Sequence, residues 1–194
     1  LIPRLILASA SPRRSDLLLQ AGYRFEVQPS AVPEARRLGE NAIRFATRLA
    51  QEKAEAVFSQ QPSDSSPFLV LGADTVVVVD GDVLGKPADA DDATRMLHRL
   101  SGRTHQVVTG VAVVWKPGCA EIAAELTQVT MQTLSTHEIA DYVASGEPMD
   151  KAGAYAIQGY AARWIPRIRG CYFNVVGLPL ALVSSLLEAA TRRV

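Results

Sequence analysis

The stretch from Phe68 to Val79 is a near-continuous apolar run broken by one carboxylate, Asp74. Such a run reads as a buried strand, of the kind found in α/β folds with covered sheet faces. The Asp80-Gly81 pair behind it is a hairpin turn into Asp82–Leu84. Upstream, Leu5–Ala8 reads as a strand and Pro12–Ala21 as a helix stopped by Gly22. Tyr23–Gln28 reads as a second strand, closing a strand–helix–strand opening. Pro29–Leu38 is an irregular loop carrying Glu34, Arg36 and Arg37, and Gln60–Pro67 an exposed connector. Between them Glu40–Ser59 is a helix, with apolar spacing at Ala42, Ala46, Leu49, Ala50 and Val57.

Downstream, Asp89 caps a helix to about Leu100, with Asp92 at the capping-box position and Gly102 as the stop. His105–Trp115 and Glu121–Thr133 are long strands separated by Pro117-Gly118. Ser135 caps the next helix, with Glu138 three residues on and Gly146 at its end. Glu147–Gly159 is loop-like. Ala161–Arg169 and Tyr172–Val176 read as short strands, and Pro179 opens a C-terminal helix ending in Arg192-Arg193. Strands and helices alternate at first, then two long strands follow as neighbours. That order predicts a mixed α/β sheet rather than a purely parallel one.

The length, 194 residues, suits one large domain or two tightly joined lobes. Twenty acidic and twenty basic residues leave no basic footprint for wrapping nucleic acid. No apolar run reaches transmembrane length and no signal-peptide pattern opens the chain, so neither a membrane partner nor export is expected. Cys119 and Cys171 lack metal-ligand spacing and read as free thiols in a reducing cytosol.

Chemistry concentrates in a few places. Ser9-Ala10-Ser11-Pro12-Arg13-Arg14 joins a strand to a helix, with Ser11 as N-cap and Pro12 at the first helical position. A helix start favours anions, yet two arginines stand in its first turn. Either they flank a bound polyanion, held with the backbone N–H groups and serine hydroxyls, or they are solvated surface charges. Asp74 is costly in its apolar strand unless a charged or hydrogen-bonding group meets it. Gly72 just before it hints at close approach by a ligand or another strand. Lys53 falls on the apolar stripe of its helix, where lysines usually snorkel. Lys86, in Gly85-Lys86-Pro87, follows the hairpin. Glu34 beside Asp74 makes a hard-oxygen pair suited to Mg²⁺ or Mn²⁺ together with phosphate oxygens. In Asp150–Gly159 the glycines admit a planar ligand and Gln158 offers a donor and an acceptor for a base edge. The plainer reading is a tight loop around a buried tyrosine. His98, His105 and His137 have no ligand spacing, and neither a P-loop nor a dinucleotide motif is present.

Taken in order, these segments resemble the Maf family of nucleoside triphosphate pyrophosphatases over nearly the whole chain. The blocks are Ser9–Arg14, Gly72–Val76, Gly85–Pro87, Leu100–Gly102, Val108–Val111, Gly146–Pro148, Asp150–Tyr155, Ile157–Gly159 and Asn174–Pro179. The resemblance implies a mixed α/β, two-lobed fold with a central cleft, similar to inosine-triphosphate pyrophosphatases, as one Maf-like domain over 1–194. It implies hydrolysis of a nucleoside triphosphate to monophosphate and pyrophosphate in the cytoplasm, with Mg²⁺ or Mn²⁺, and relatives suggest a homodimer. Lys151–Tyr155 with Ile157–Gly159 looks like the branch acting on dTTP and UTP; Ala156 is a small departure where glycine or alanine is expected to serve equally. On the family pattern Asp74 is the proton acceptor for the attacking water. Arg13, Thr75 and Gln158 are its specificity positions, and Ser9, Arg14, Glu34, Lys53 and Lys86 surround phosphate and metal. The sequence leaves open whether Asp74 is mainly base or metal ligand. A sister specificity such as 7-methyl-GTP, and a nucleotide-binding regulator of septum formation, are the alternatives.

Overall fold

The structure, a computed structural model, describes residues 3–62 and 67–194; residues 63–66 of the expected connector lie outside the described residues. The strands are β1 (Arg4–Leu7), β2 (Glu26–Val27), β3 (Phe68–Val79), β4 (Asp82–Leu84), β5 (Thr104–Lys116), β6 (Cys119–Thr130) and β7 (Arg167–Arg169). The helices are α1 (Pro12–Gln20), α2 (Ala42–Phe58), α3 (Ala90–Leu100), α4 (Thr136–Ala144), α5 (Tyr172–Val176) and α6 (Leu180–Thr191). The strands form one mixed sheet in the order β2-β1-β3-β5-β6-β7, with β4 also paired to β3. β1 runs parallel to β2 and β3, whereas β3–β4 and β6–β7 are antiparallel. The mixed α/β class expected from the element order is the class observed.

The chain divides into two compact units. The first lies within Leu1–Asp74, Thr109–Glu125 and Gly177–Val194; the second comprises Thr75–Val108 and Leu126–Val176. In the first, Ile6, Val70 and Val114 of the sheet pack with Ala54 and Val57 of α2. Helix α2 lies against the sheet because two glycines admit it. A Cβ on Gly72 would stand 2.0 Å from the Ala50 carbonyl oxygen, and one on Gly110 2.3 Å from the Ala46 carbonyl carbon. The close approach signalled by Gly72 is therefore made by a helix, not by a ligand or strand. The core of the second unit gathers Val77, Leu84, Leu97, Val107, Val129, Tyr142 and Trp164.

Local signals set the starts of three helices, α2, α3 and α4. Asn41 caps α2 by accepting the Arg44 N–H at 2.9 Å, and Ser135 and Glu138 complete a reciprocal capping box on α4. At α3 the Asp92 carboxylate accepts from the Ala88 N–H, one residue before the cap. Ser11 occupies the N-cap position of α1 but makes no side-chain cap; its own N–H donates to Ser9 Oγ at 3.3 Å.

Three expected strands need correction. Tyr23–Gln28 pairs only at Glu26–Val27. Ala161–Arg169 is mostly a 3-10 turn, Tyr160–Trp164, with strand only at Arg167–Arg169. There Tyr160 and Trp164 turn toward Tyr142, with ring centroids 5.7 Å and 5.1 Å from it, and this packing overrides strand propensity. Tyr172–Val176 is helix α5, which places the Asn174 amide where its Nδ2 donates to the Val107 carbonyl and Thr127 Oγ1.

Candidate active site

In the first unit, β1 delivers Ser9 to the start of α1. Ser9 is buried, and its Oγ accepts from Arg14 Nη1 at 3.0 Å while Arg14 Nε donates to the Gly177 carbonyl at 2.9 Å. The first turn of α1 carries no acidic residue, and Arg13 and Arg14 stand at the positive end of the helix dipole. Burial lowers the Arg14 pKa, the charges of Asp74 and Glu34 raise it, and Arg13 lowers it again. Part of the compensation that Arg14 requires is thus the protein's own carboxylates.

Asp74 and Lys53 form the centre. Both are buried, at 6% and 7% exposed, and Lys53 Nζ donates to Asp74 Oδ1 at 2.6 Å. The same ammonium donates to Glu34 Oε1, also at 2.6 Å. Lys53 therefore does not snorkel; its helix is seated close enough on β3 for the side chain to end on a buried carboxylate. Burial pushes the Asp74 pKa above the ordinary carboxylate value, and the Lys53 and Arg14 charges partly offset that shift. The arrangement is a buried carboxylate of raised basicity, held in place by the Lys53 ammonium and within the field of Arg14.

The two carboxylates on one ammonium also bear on a metal. Among the described residues, no group of three or more His, Cys, Asp or Glu is placed to hold an ion. Glu34 and Asp74 suit a hard cation that takes one or two carboxylates and completes its shell with phosphate oxygens and water. They do not suit an all-protein cage.

The second unit carries the remaining expected residues. Thr75 follows Asp74 and is half-buried, while Lys86 and Gln158 are exposed. Gly153 N–H donates to the Gly85 carbonyl at 2.9 Å, which ties the Lys86 loop to the Lys151–Tyr155 segment. Tyr155 is buried, with its hydroxyl 2.6 Å from His105 Nε2, so the buried-tyrosine reading of this segment holds. Glu147 supports the same loop farther on: its Oε1 accepts from Tyr142 Oη at 3.0 Å and from the Tyr160 N–H at 3.2 Å. Sequence spacing did not single out His105 or Glu147 for this role. Their partners lie far along the chain, and neither carries a local motif for such a contact.

His105 gives a test of this packing. Burial drives its pKa from the ordinary 6.5 to about 4, and its Nδ1 finds no hydrogen-bond partner among the described residues. Folded, it stays neutral down to about pH 4; unfolded, it protonates near pH 6.5. The unfolded chain binds the extra proton in that interval, so stability falls as the pH drops from 6.5 and levels off below 4. The full contribution is about 3 kcal/mol, from about 1.4 kcal/mol per pKa unit. Urea unfolding at pH 7 and pH 4.5 should show wild type losing more stability than His105→Gln; equal losses would place His105 in a solvated setting.

A family model described as Maf-like protein matches residues 4–190. A protein of Koribacter versatilis named dTTP/UTP pyrophosphatase is 53% identical over 186 residues, covering 96% of this chain and 94% of that protein. One of the same name from Geobacter metallireducens is 51% identical over 181 residues, covering 93% and 92%. A third, from Salmonella typhimurium, is 49% identical over 184 residues, covering 95% and 91%.

Proposed function

The chain belongs to the Maf-like protein family, and from that premise we propose that it is a nucleoside triphosphate pyrophosphatase, with dTTP and UTP its leading substrates. The observation that carries the reading is the buried Asp74 carboxylate on Lys53 Nζ, in the same unit as the arginine-bearing start of α1. The names of the relatives support the enzyme over the septum regulator, and dTTP/UTP over a sister specificity.

The chemistry follows from the residues. Asp74, made more basic by burial, accepts a proton from the water that adds to the α-phosphorus. The new P–O bond forms as the α–β anhydride bond breaks, and pyrophosphate departs with the electron pair. Arg13 and Arg14, with Lys53 and Lys86, supply cationic hydrogen bonding for the polyphosphate. Glu34 and Asp74 would hold Mg²⁺ or Mn²⁺ together with phosphate oxygens; such an ion supplies charge neutralisation at the leaving group. Thr75 and Gln158 read the base. Uracil and thymine present an N3–H between two carbonyls, and one amide meets both kinds of group.

The test is pyrophosphate release on mixing the protein with dTTP or UTP and Mg²⁺ or Mn²⁺. No release from these or any other nucleoside triphosphate would remove the reading. Within it, Gln158→Ala should lower kcat/KM about tenfold for dTTP and UTP, the scale of one lost hydrogen bond, and less for CTP. Equal proportional losses on all three would make Gln158 a loop-positioning residue instead. The reading also includes a cytoplasmic enzyme acting on free nucleotides as a homodimer, and sedimentation analysis checks the oligomer. Among the described residues no helix is long and apolar enough to cross a membrane.

A further inference from the structure

Between β2 and α2 the chain forms no helix or strand, yet this loop delivers Glu34 to Lys53. A third α2 side chain, Arg48, anchors the loop besides Lys53 and Glu52. Arg48 Nε and Nη2 donate to the two oxygens of Glu40 at 2.6 and 2.8 Å, a bidentate pair. Arg48 Nη2 also donates to the carbonyl of Ala35 at 3.0 Å, the residue directly after Glu34. Arg48 Nη1 donates to Glu52 Oε2 at 3.0 Å, on the same helix face. Glu40 in turn accepts the Arg37 N–H at 3.0 Å, and the Arg37 guanidinium reaches Glu52 at 2.8 Å. The Arg48 and Glu40 side chains are only 15% and 9% exposed. Isolated surface ion pairs contribute little, but a bidentate pair inside a network is the exception. The chain directly after Glu34 is thereby pinned to the helix that carries Lys53.

We propose that Arg48 is a positioning residue for the pyrophosphatase reaction: its fork to Glu40 and its bond to the Ala35 carbonyl fix where Glu34 meets Lys53 and Asp74. The proposal rests on the function assigned above. Arg48 acts through Glu34, and it acts by fork geometry rather than charge, because a lysine ammonium cannot span two carboxylate oxygens and a carbonyl in one plane.

Two measurements on the full chain test it. The first is hydrogen exchange of the 30–41 segment, which needs no activity. Arg48→Lys should speed exchange there while exchange in α3 and α4 stays at the wild-type rate. Unchanged exchange in the loop, or faster exchange everywhere, overturns the clamp. The second is kinetic, with dTTP and Mn²⁺ varied independently. Arg48→Lys should lose about 10–100-fold in kcat/KM, the usual cost of removing a partner that orients a site ligand. The double variant Arg48→Lys/Glu34→Gln should be no worse than Glu34→Gln alone, because both changes act through one carboxylate. Losses that multiply, or full activity in Arg48→Lys, overturn the proposal. If Arg48→Lys does not fold, Glu40→Gln, which keeps the arginine, is expected to give the same pattern. A wild type inactive on every nucleoside triphosphate sinks the hydrolytic reading and the kinetic role together, whereas the exchange result then still decides whether the clamp exists.

Discussion

Asp74→Asn is expected to abolish turnover on dTTP and UTP while the protein stays folded. The amide keeps the shape of the side chain and one oxygen for Lys53 Nζ, now 2.6 Å from Oδ1. It removes the basic electron pair and the negative charge. Loss of a general base costs about 10²–10⁴-fold, and loss of a metal ligand would add to that. Folding should survive because Lys53 is not left alone: Glu34 Oε1 stands at 2.6 Å on its other side. That second carboxylate matters, since stranding one member of a buried ion pair typically costs about 3–5 kcal/mol. The measurement is kcat for pyrophosphate release beside circular dichroism and a melting curve. A folded Asp74→Asn protein with near-wild-type kcat would remove Asp74 from the chemistry and leave the Lys53 pair a structural feature. Asp74→Asn/Glu34→Gln, which strands the ammonium, should melt well below either single variant.

The carboxylate itself was legible in the sequence because its cost is local: one charge inside Phe68–Val79 needs a partner whatever the fold. The partner was not. Lys53 lies 21 residues away, and its position on an apolar stripe suits a snorkelling lysine equally well until the seat of α2 is known. Capping followed the same rule. Ser135 and Glu138 are three residues apart and their box was plain, whereas Ser9, two residues before Ser11, takes an amide and a guanidinium that local pattern did not assign to it. The departures from strand within Ala161–Arg169 and at Tyr172–Val176 have a common cause. Short aromatic and β-branched stretches fit strand or helix by composition alone. What decided them were Tyr142 and Thr127, each remote in sequence. Arg48 and Glu40 are eight residues apart, and nothing in their spacing marks a clamp on an irregular loop.

Gly72→Ala is expected to lower the melting temperature by about 6–12 °C and to take activity down with it. The added methyl would stand 2.0 Å from the Ala50 carbonyl oxygen and 3.0 Å from both the Cβ and the N of Ala54. The first of these neighbours is helix backbone, so no side chain can rotate away; α2 or β3 must shift. Overpacking a core costs about 1–3 kcal/mol where side chains can adjust, and the upper end applies where they cannot. For a chain of this size each kcal/mol is about 2–4 °C. Ala50 and Ala54 flank Lys53, so the displacement falls on the turn that carries the ammonium to Asp74, two residues along β3 from Gly72. A hydrogen bond of 2.6 Å does not survive a shift of an ångström, and the carboxylate then loses the cation that holds it. Gly85→Ala is the control, because nothing lies within 4 Å of its added methyl. That substitution should leave melting unchanged or raise it slightly, through the lower entropy of the unfolded chain. If Gly72→Ala melts within a degree of wild type, the helix is not seated on that glycine, and the distance between Lys53 and Asp74 is set by something else.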